Sequence, residues 1–139
     1  MLSASPMPKQ DFADRPFGCP LDVVLDIPVP LSVNRTRREN KGAKRDIENW
    51  LCKADATVMA SGQYRIARRT RKAEQPCEIK IILDPGKCKL DPDNPIKNAI
   101  DYLRRLELLE NDTGKHVRKI TVEWGPAPEG CRIVISEAA

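Results

Sequence analysis

The apolar residues of this chain change period along its length, and that switching limits what it can fold into. Leu21, Val23, Leu25 and Ile27 alternate with Asp22, Val24 and Asp26, the pattern of a strand with one buried face. Pro28 and Pro30 end it. Ile47, Trp50, Leu51, Ala54 and Val58 then recur at helical spacing, which predicts an amphipathic helix over 43–60, stopped at Ser61-Gly62. Alternation returns at Cys77, Ile79, Ile81 and Leu83, followed by the turn signal Asp84-Pro85-Gly86. A second helix carries the stripe Ile96, Ala99, Ile100, Leu103 and Leu106, with Lys97, Asp101 and Arg104 opposite, and is expected to end near Leu109. Strands over 117–124 and 131–136 close the chain, and the loop between them, Gly125 to Gly130, predicts a hairpin. Segment 64–74 is compatible with helix or loop. The order strand, helix, strand, helix, strand, strand predicts an α+β fold: a small mixed sheet of about four strands packed with two main helices. The 139 residues suffice for one modest core, expected over 21–139 behind an arm at 1–20 rich in Pro and small polar residues.

The formal net charge of +4 says little about partners, but its distribution says more. Arg35, Arg37, Arg38, Lys41, Lys44 and Arg45 lie close together with Glu39 as the one acid among them. Arg65, Arg68, Arg69, Arg71 and Lys72 follow in a stretch without any acid. Carboxylates gather instead near 91–93, 101 and 107–112. Basic segments around an acidic centre suit a polyanion held by its backbone, and they also suit solvated loops. The five cysteines, Cys19, Cys52, Cys77, Cys88 and Cys131, are odd in number and contain no CxxC pair. That spacing speaks against a structural zinc site or a disulfide framework and fits a reducing cytoplasm. No apolar stretch reaches the length of a signal peptide or a membrane span, so no membrane association is expected. Trp50 and Trp124 fall on apolar faces and are expected in the core. His116 is the only histidine, and nothing nearby recommends it as the base of a nucleophile.

The chemistry-bearing segment is Asp91-Pro92-Asp93-Asn94-Pro95. Proline fixes its own φ and extends the residue before it, so Asp91 and Asp93 are expected to face one side. Paired carboxylates offer the hard oxygen ligands that Mg²⁺ and Mn²⁺ prefer. The same residues also read as the cap of a helix that Pro95 begins, with Asn94 as N-cap. Lys97 lies about one turn inside that helix, where its ammonium reaches either a phosphate or the carboxylates at helical spacing. Asp112 stands beyond the helix, in the polar turn Asn111-Asp112-Thr113-Gly114. It joins Asp93 within one subunit only if the chain folds back after the helix.

The run Asp91-x-Asp93-Asn94-x-x-Lys97, then Asp101, a Leu-rich helix and Asn111-Asp112, resembles the RusA family of Holliday junction resolvases. The strand leading into Pro28-Val29-Pro30-Leu31-Ser32-Val33-Asn34-Arg35 is similar to that family upstream, and the resemblance covers about 22–136. It implies a small α+β homodimer that binds branched DNA at four-way junctions. It implies symmetric paired nicks made with Mg²⁺ or Mn²⁺, in DNA recombination and repair. Carried over by position, Asp91, Asp93 and Asp112 become metal ligands and Lys97 a catalytic cation. Asn34, Arg35, Arg37, Arg38, Lys87 and Lys89 become DNA contacts. The chain departs from the family in three places: Asn111 replaces the first acid of a pair, only Lys87 and Lys89 charge the stretch before Asp91, and Pro92 and Pro95 replace aliphatic residues. Segment 64–74 and the arm are where compensating contacts are expected. Two other readings stay open: a DNA-binding protein that keeps the fold without turnover, and a small phosphohydrolase with Asp91 as nucleophile.

Overall fold

The computed structural model describes residues 22–31, 41–89, 95–110 and 114–138. The expected arm, the basic loop with Asn34, Arg35, Arg37 and Arg38, and the three aspartates Asp91, Asp93 and Asp112 lie outside them. The elements run β1 (Val23–Pro28), α1 (Lys41–Ala60), α2 (Gln63–Thr70), β2 (Cys77–Leu83), α3 (Ile96–Arg105), β3 (Val117–Trp124) and β4 (Gly130–Glu137). The fold is α+β, as the changes of period predict, with a third helix in the segment compatible with helix or loop. None of the helices among the described residues is long and apolar enough to cross a membrane.

The sheet is mixed, in the order β1-β4-β2-β3. β4 runs antiparallel to both neighbours, and β2 and β3 are parallel. The expected hairpin of β3 and β4 does not form, because β2 lies between them. β3 joins β2 through the helical crossover of α3, as parallel strands require. The loop after β3 then carries the chain past the end of β2 to fill the place between β1 and β2. Gly130 shapes that entry. Its φ is +111°, and a Cβ there would sit 2.7 Å from Val29 Cγ2.

Alternation decides which strand residues are buried. Val23, Leu25 and Ile27 of β1, Cys77, Ile79, Ile81 and Leu83 of β2, and Cys131, Ile133 and Ile135 of β4 share one core with Ala54, Val58, Ala67, Ala99, Ile100, Tyr102 and Leu103 of the helices. Burial of each such Leu or Ile stabilises by about 1.5–3 kcal/mol over its exposed state. In β3 the same parity places Ile120, Val122 and Trp124 beside Ile79, Ile81 and Leu83. At this edge the face is incompletely covered: Ile120 is 44% exposed and Trp124 47%. Trp124 is therefore not the core residue its apolar setting predicts. Trp50 is partly buried, edge-on to Tyr102 with 5.1 Å between ring centroids, and its Nε1 donates to the Val29 carbonyl at 2.8 Å.

Helix boundaries follow local chemistry. α1 stops where Gly62 adopts φ 79°, a left-handed conformation that glycine tolerates, and α2 restarts at once. An isolated eight-residue helix is marginal in water, so α2 depends on tertiary anchors. At its start, Gln63 Oε1 accepts the Asp26 N–H at 2.7 Å and Gln63 Nε2 donates to Asp26 Oδ2 at 2.8 Å. Just past its end, Arg71 is buried and donates from Nε to the Leu108 carbonyl at 2.9 Å and from Nη2 to the Gln75 carbonyl at 2.5 Å. α3 ends at Arg105, four residues before the expected Leu109. Glu107 turns left-handed at φ 62°, which lets Leu108 and Leu109 leave the helical path and enter the core.

Candidate functional site

Lys97 is the one residue of the expected catalytic set among the described residues. It lies in the first turn of α3, on the side opposite Ala99, Ile100 and Leu103, and is exposed. Its Nζ approaches Asp101 Oδ1 at 3.2 Å, and Arg104 Nη1 stands 3.8 Å from the same oxygen. At this exposure such pairs contribute a few tenths of a kcal/mol each, so the pair with Asp101 holds the Lys97 ammonium only weakly. Of the two lysines before Asp91, Lys87 is exposed and donates from Nζ to the Pro128 carbonyl at 2.6 Å, and Lys89 is exposed.

The positions on either side of the three aspartates are set by hydrogen bonds of the described residues. Cys88 N donates to the Asp84 carbonyl at 2.8 Å, which holds Cys88 and Lys89 at the Leu83 end of β2. Asn98 Nδ2 donates to the Leu31 carbonyl at 2.6 Å, so α3 begins at that same end. Glu110 N donates to the Ala73 carbonyl at 3.0 Å, and Cys77 N donates to the His116 carbonyl at 2.8 Å. Residues 110 and 114–116 therefore lie at the Cys77 end. At roughly 3.3 Å per residue, β2 separates the two ends by about 20 Å. After α3 the chain turns toward the start of β2 and not back along the helix.

Among the described residues, no three His, Cys, Asp or Glu side chains converge in a way that could hold a metal. Asp26, the one carboxylate among the buried residues of this set, is 8% exposed and occupied by Arg132 and Gln63. Arg132 grips it from Nε at 2.8 Å and from Nη2 at 3.2 Å. The His116 ring is buried, and among the described residues its Nδ1 has no hydrogen-bond partner. Burial pushes the Cys131 thiol up to about 12, helped by Cys88 and Asp26, which holds it in the protonated form.

One polar cluster is invisible in the sequence because its members are far apart in the chain. Asp55 of α1 accepts from Tyr102 Oη at 2.7 Å and from Arg105 Nη2 at 2.9 Å. Burial pushes the Asp55 carboxyl up, but the hydrogen bonds from Arg105 and Tyr102 and the charge of Arg105 outweigh it and hold it below its ordinary value. Burial, together with the bond to Asp55, pushes the Tyr102 phenol up. This cluster ties α1 to α3. Beside it runs a groove of about 490 Å³ lined by Met59, Tyr64, Arg65, Arg68 and Arg69. The acid-free segment points to these cations in the sequence, but not to their arrangement on one helix.

No protein-family model matches the chain, and a search of curated proteins finds no match either.

Proposed function

We propose that the protein is a Mg²⁺- or Mn²⁺-dependent, structure-specific endodeoxyribonuclease of the RusA kind, resolving four-way DNA junctions by paired symmetric nicks as a homodimer. The observation that carries the reading is the run Asp91-x-Asp93-Asn94-x-x-Lys97 at the mouth of α3, with Lys97 exposed in the helix's first turn. Asp91, Asp93 and Asp112 form a donor set of hard carboxylate oxygens, which fits these cations and leaves room for water and a phosphate oxygen. A divalent ion bound there supplies Lewis acidity toward the scissile phosphate and the attacking water. Lys97 offsets charge that builds on the phosphoryl oxygens in the transition state. Asn34, Arg35, Arg37, Arg38, Lys87 and Lys89 hold backbone phosphates and set register without reading bases. The products are a 5′ phosphate and a 3′ hydroxyl.

The positions bracketing the aspartates bear on how the site is completed. Lys89 and Pro95 flank Asp91 and Asp93 at one end of β2, and Glu110 and Gly114 flank Asp112 at the other. The reading is therefore that Asp112 of one copy completes the Asp91/Asp93 pair of a second copy. A two-fold dimer then holds two equivalent composite sites, as paired nicks require.

A second reading, a junction-binding protein without turnover, is favoured by Asn111, which removes a carboxylate next to Asp112. Incubation of the purified chain with a labelled four-way junction and Mg²⁺ separates the two. The expected result is paired nicks by wild type and a loss of about two orders of magnitude or more for Asp93→Asn. Absence of cleavage by wild type, or full cleavage by Asp93→Asn, contradicts the nuclease reading.

A further inference from the structure

Helix α2 turns three arginines outward and has nothing of its own to neutralise them. Its single buried residue is Ala67. Arg65 and Arg69 lie on the far side of the helix from Ala67, Arg68 lies beside them, and all three are exposed. Lys72 follows, also exposed. Among the described residues no carboxylate pairs with any of these four; the one hydrogen bond from their side chains is Arg68 Nη1 donating to the Glu107 carbonyl at 3.3 Å. The fifth cation of the segment, Arg71, is the internal anchor that fixes the end of the helix. Gln63 fixes its start. A helix this short, tied down at both ends, presents its arginines on a rigid platform. Met59 and Tyr64 line the same groove as the three arginines.

Concentrated, uncompensated positive charge on a rigid element is a polyanion surface, and its local chemistry selects the kind. Arginine forks match phosphate oxygens in pairs. Side chains four apart on a helix, as Arg65 and Arg69 are, start about 5–6 Å apart, within reach of neighbouring phosphates on one strand. Its position matters as well. Arg68 touches Glu107, and Arg71 touches Leu108, in the segment that leads to Asn111-Asp112. We infer that α2 is a second backbone-binding surface for duplex DNA, with Arg65, Arg68 and Arg69 gripping consecutive phosphates next to the end of the subunit that supplies Asp112. This rests on the nuclease reading for the choice of DNA, but not for the charge that binds it.

The test is equilibrium binding of a labelled four-way junction and of a plain duplex, in EDTA so that no cleavage occurs, over a range of salt. Each phosphate that the protein ceases to neutralise lowers the slope of log affinity against log salt by about 0.9. Arg65→Gln/Arg69→Gln is expected to lower it by about 1.8 and to weaken binding by roughly tenfold or more at physiological salt. Lys80→Gln/Lys119→Gln removes the same charge from the sheet face away from the helices and is expected to leave the slope in place. An unchanged slope in the arginine variant, with its helical circular dichroism intact, overturns the inference. So does an equal fall in the lysine variant, and so does preference for poly-L-glutamate over duplex. Wild type that binds through these arginines but never cleaves sinks the nuclease reading and leaves the surface standing. Wild type that cleaves, with a slope indifferent to Arg65 and Arg69, does the reverse.

Discussion

At the scale of single residues, the described charges divide into those consumed by the fold and those left at the surface. Arg71, Arg132 and Arg105 are consumed: each is held by carbonyls or by a carboxylate. Lys89, Arg65 and Arg69 are presented to solvent. Asp55 shows how such consumption responds to pH. Its folded carboxyl titrates below the ordinary value, so the stability it contributes is fully present above about pH 3.9 and is lost as pH falls below that toward the folded value. Thermal unfolding followed between pH 6 and 2.5 is expected to show a steeper acid loss for wild type than for Asp55→Asn. Equal slopes would mean that the bond to Arg105 is not made in solution. Solvent reaches Asp55, so the difference is expected to be modest.

At the scale of elements, much is legible in the sequence. Period two locates β1 and β2, helical spacing locates α1 and α3, and Ser61-Gly62 marks the stop of α1. Two things are not legible. Parity tells which face of β3 carries Ile120 and Trp124, but not that the face is incompletely covered there, because coverage is set by where distant helices lie. Loop composition favours a hairpin after β3, but strand partners are chosen by the whole sheet, and β2 takes the place between β3 and β4. The early end of α3 has the same origin, since the pull of the core on Leu108 and Leu109 outweighs helical continuation. Gly130 is where the unexpected topology is most exposed to test. Gly130→Ala must accept both a left-handed φ and a close approach to Val29, so it is expected to destabilise by more than about 1 kcal/mol in denaturant unfolding. A neutral substitution there would contradict the path of the chain into β4.

At the scale of the whole molecule, the candidate site is legible as a motif and not as a geometry. Asp91, Asp93 and Lys97 are neighbours in sequence, so the expectation that they act together comes from the sequence alone. Asp112 is separated from them by α3, and only the topology bears on its place. The described residues around 111–113 sit at the Cys77 end of β2, whereas those around 90–94 sit at the Leu83 end. A parallel β2-α3-β3 unit makes this unavoidable: the helix returns the chain to the start of β2 so that β3 can run alongside it. The proposed dimer is chosen to match that arrangement: on the nuclease reading, one copy's flanking residues at 89 and 95 and at 110 and 114 stand most of a strand length apart. The arginines of α2 lie beside Glu107 and Leu108, so on the proposed reading each composite site is approached by DNA held on one copy and cut with the carboxylate pair of the other.

Subunit mixing tests this account most directly. Asp93→Asn and Asp112→Asn proteins, each inactive alone on a four-way junction with Mg²⁺, are unfolded together, refolded and assayed for nicking. Half of the dimers are then mixed, and in each mixed dimer one site unites both intact aspartates, so about a quarter of the wild-type nicking is expected to return. If every mixture stays as inactive as its parents while wild type cleaves after the same treatment, the three aspartates do not meet across a dimer, and the central claim fails.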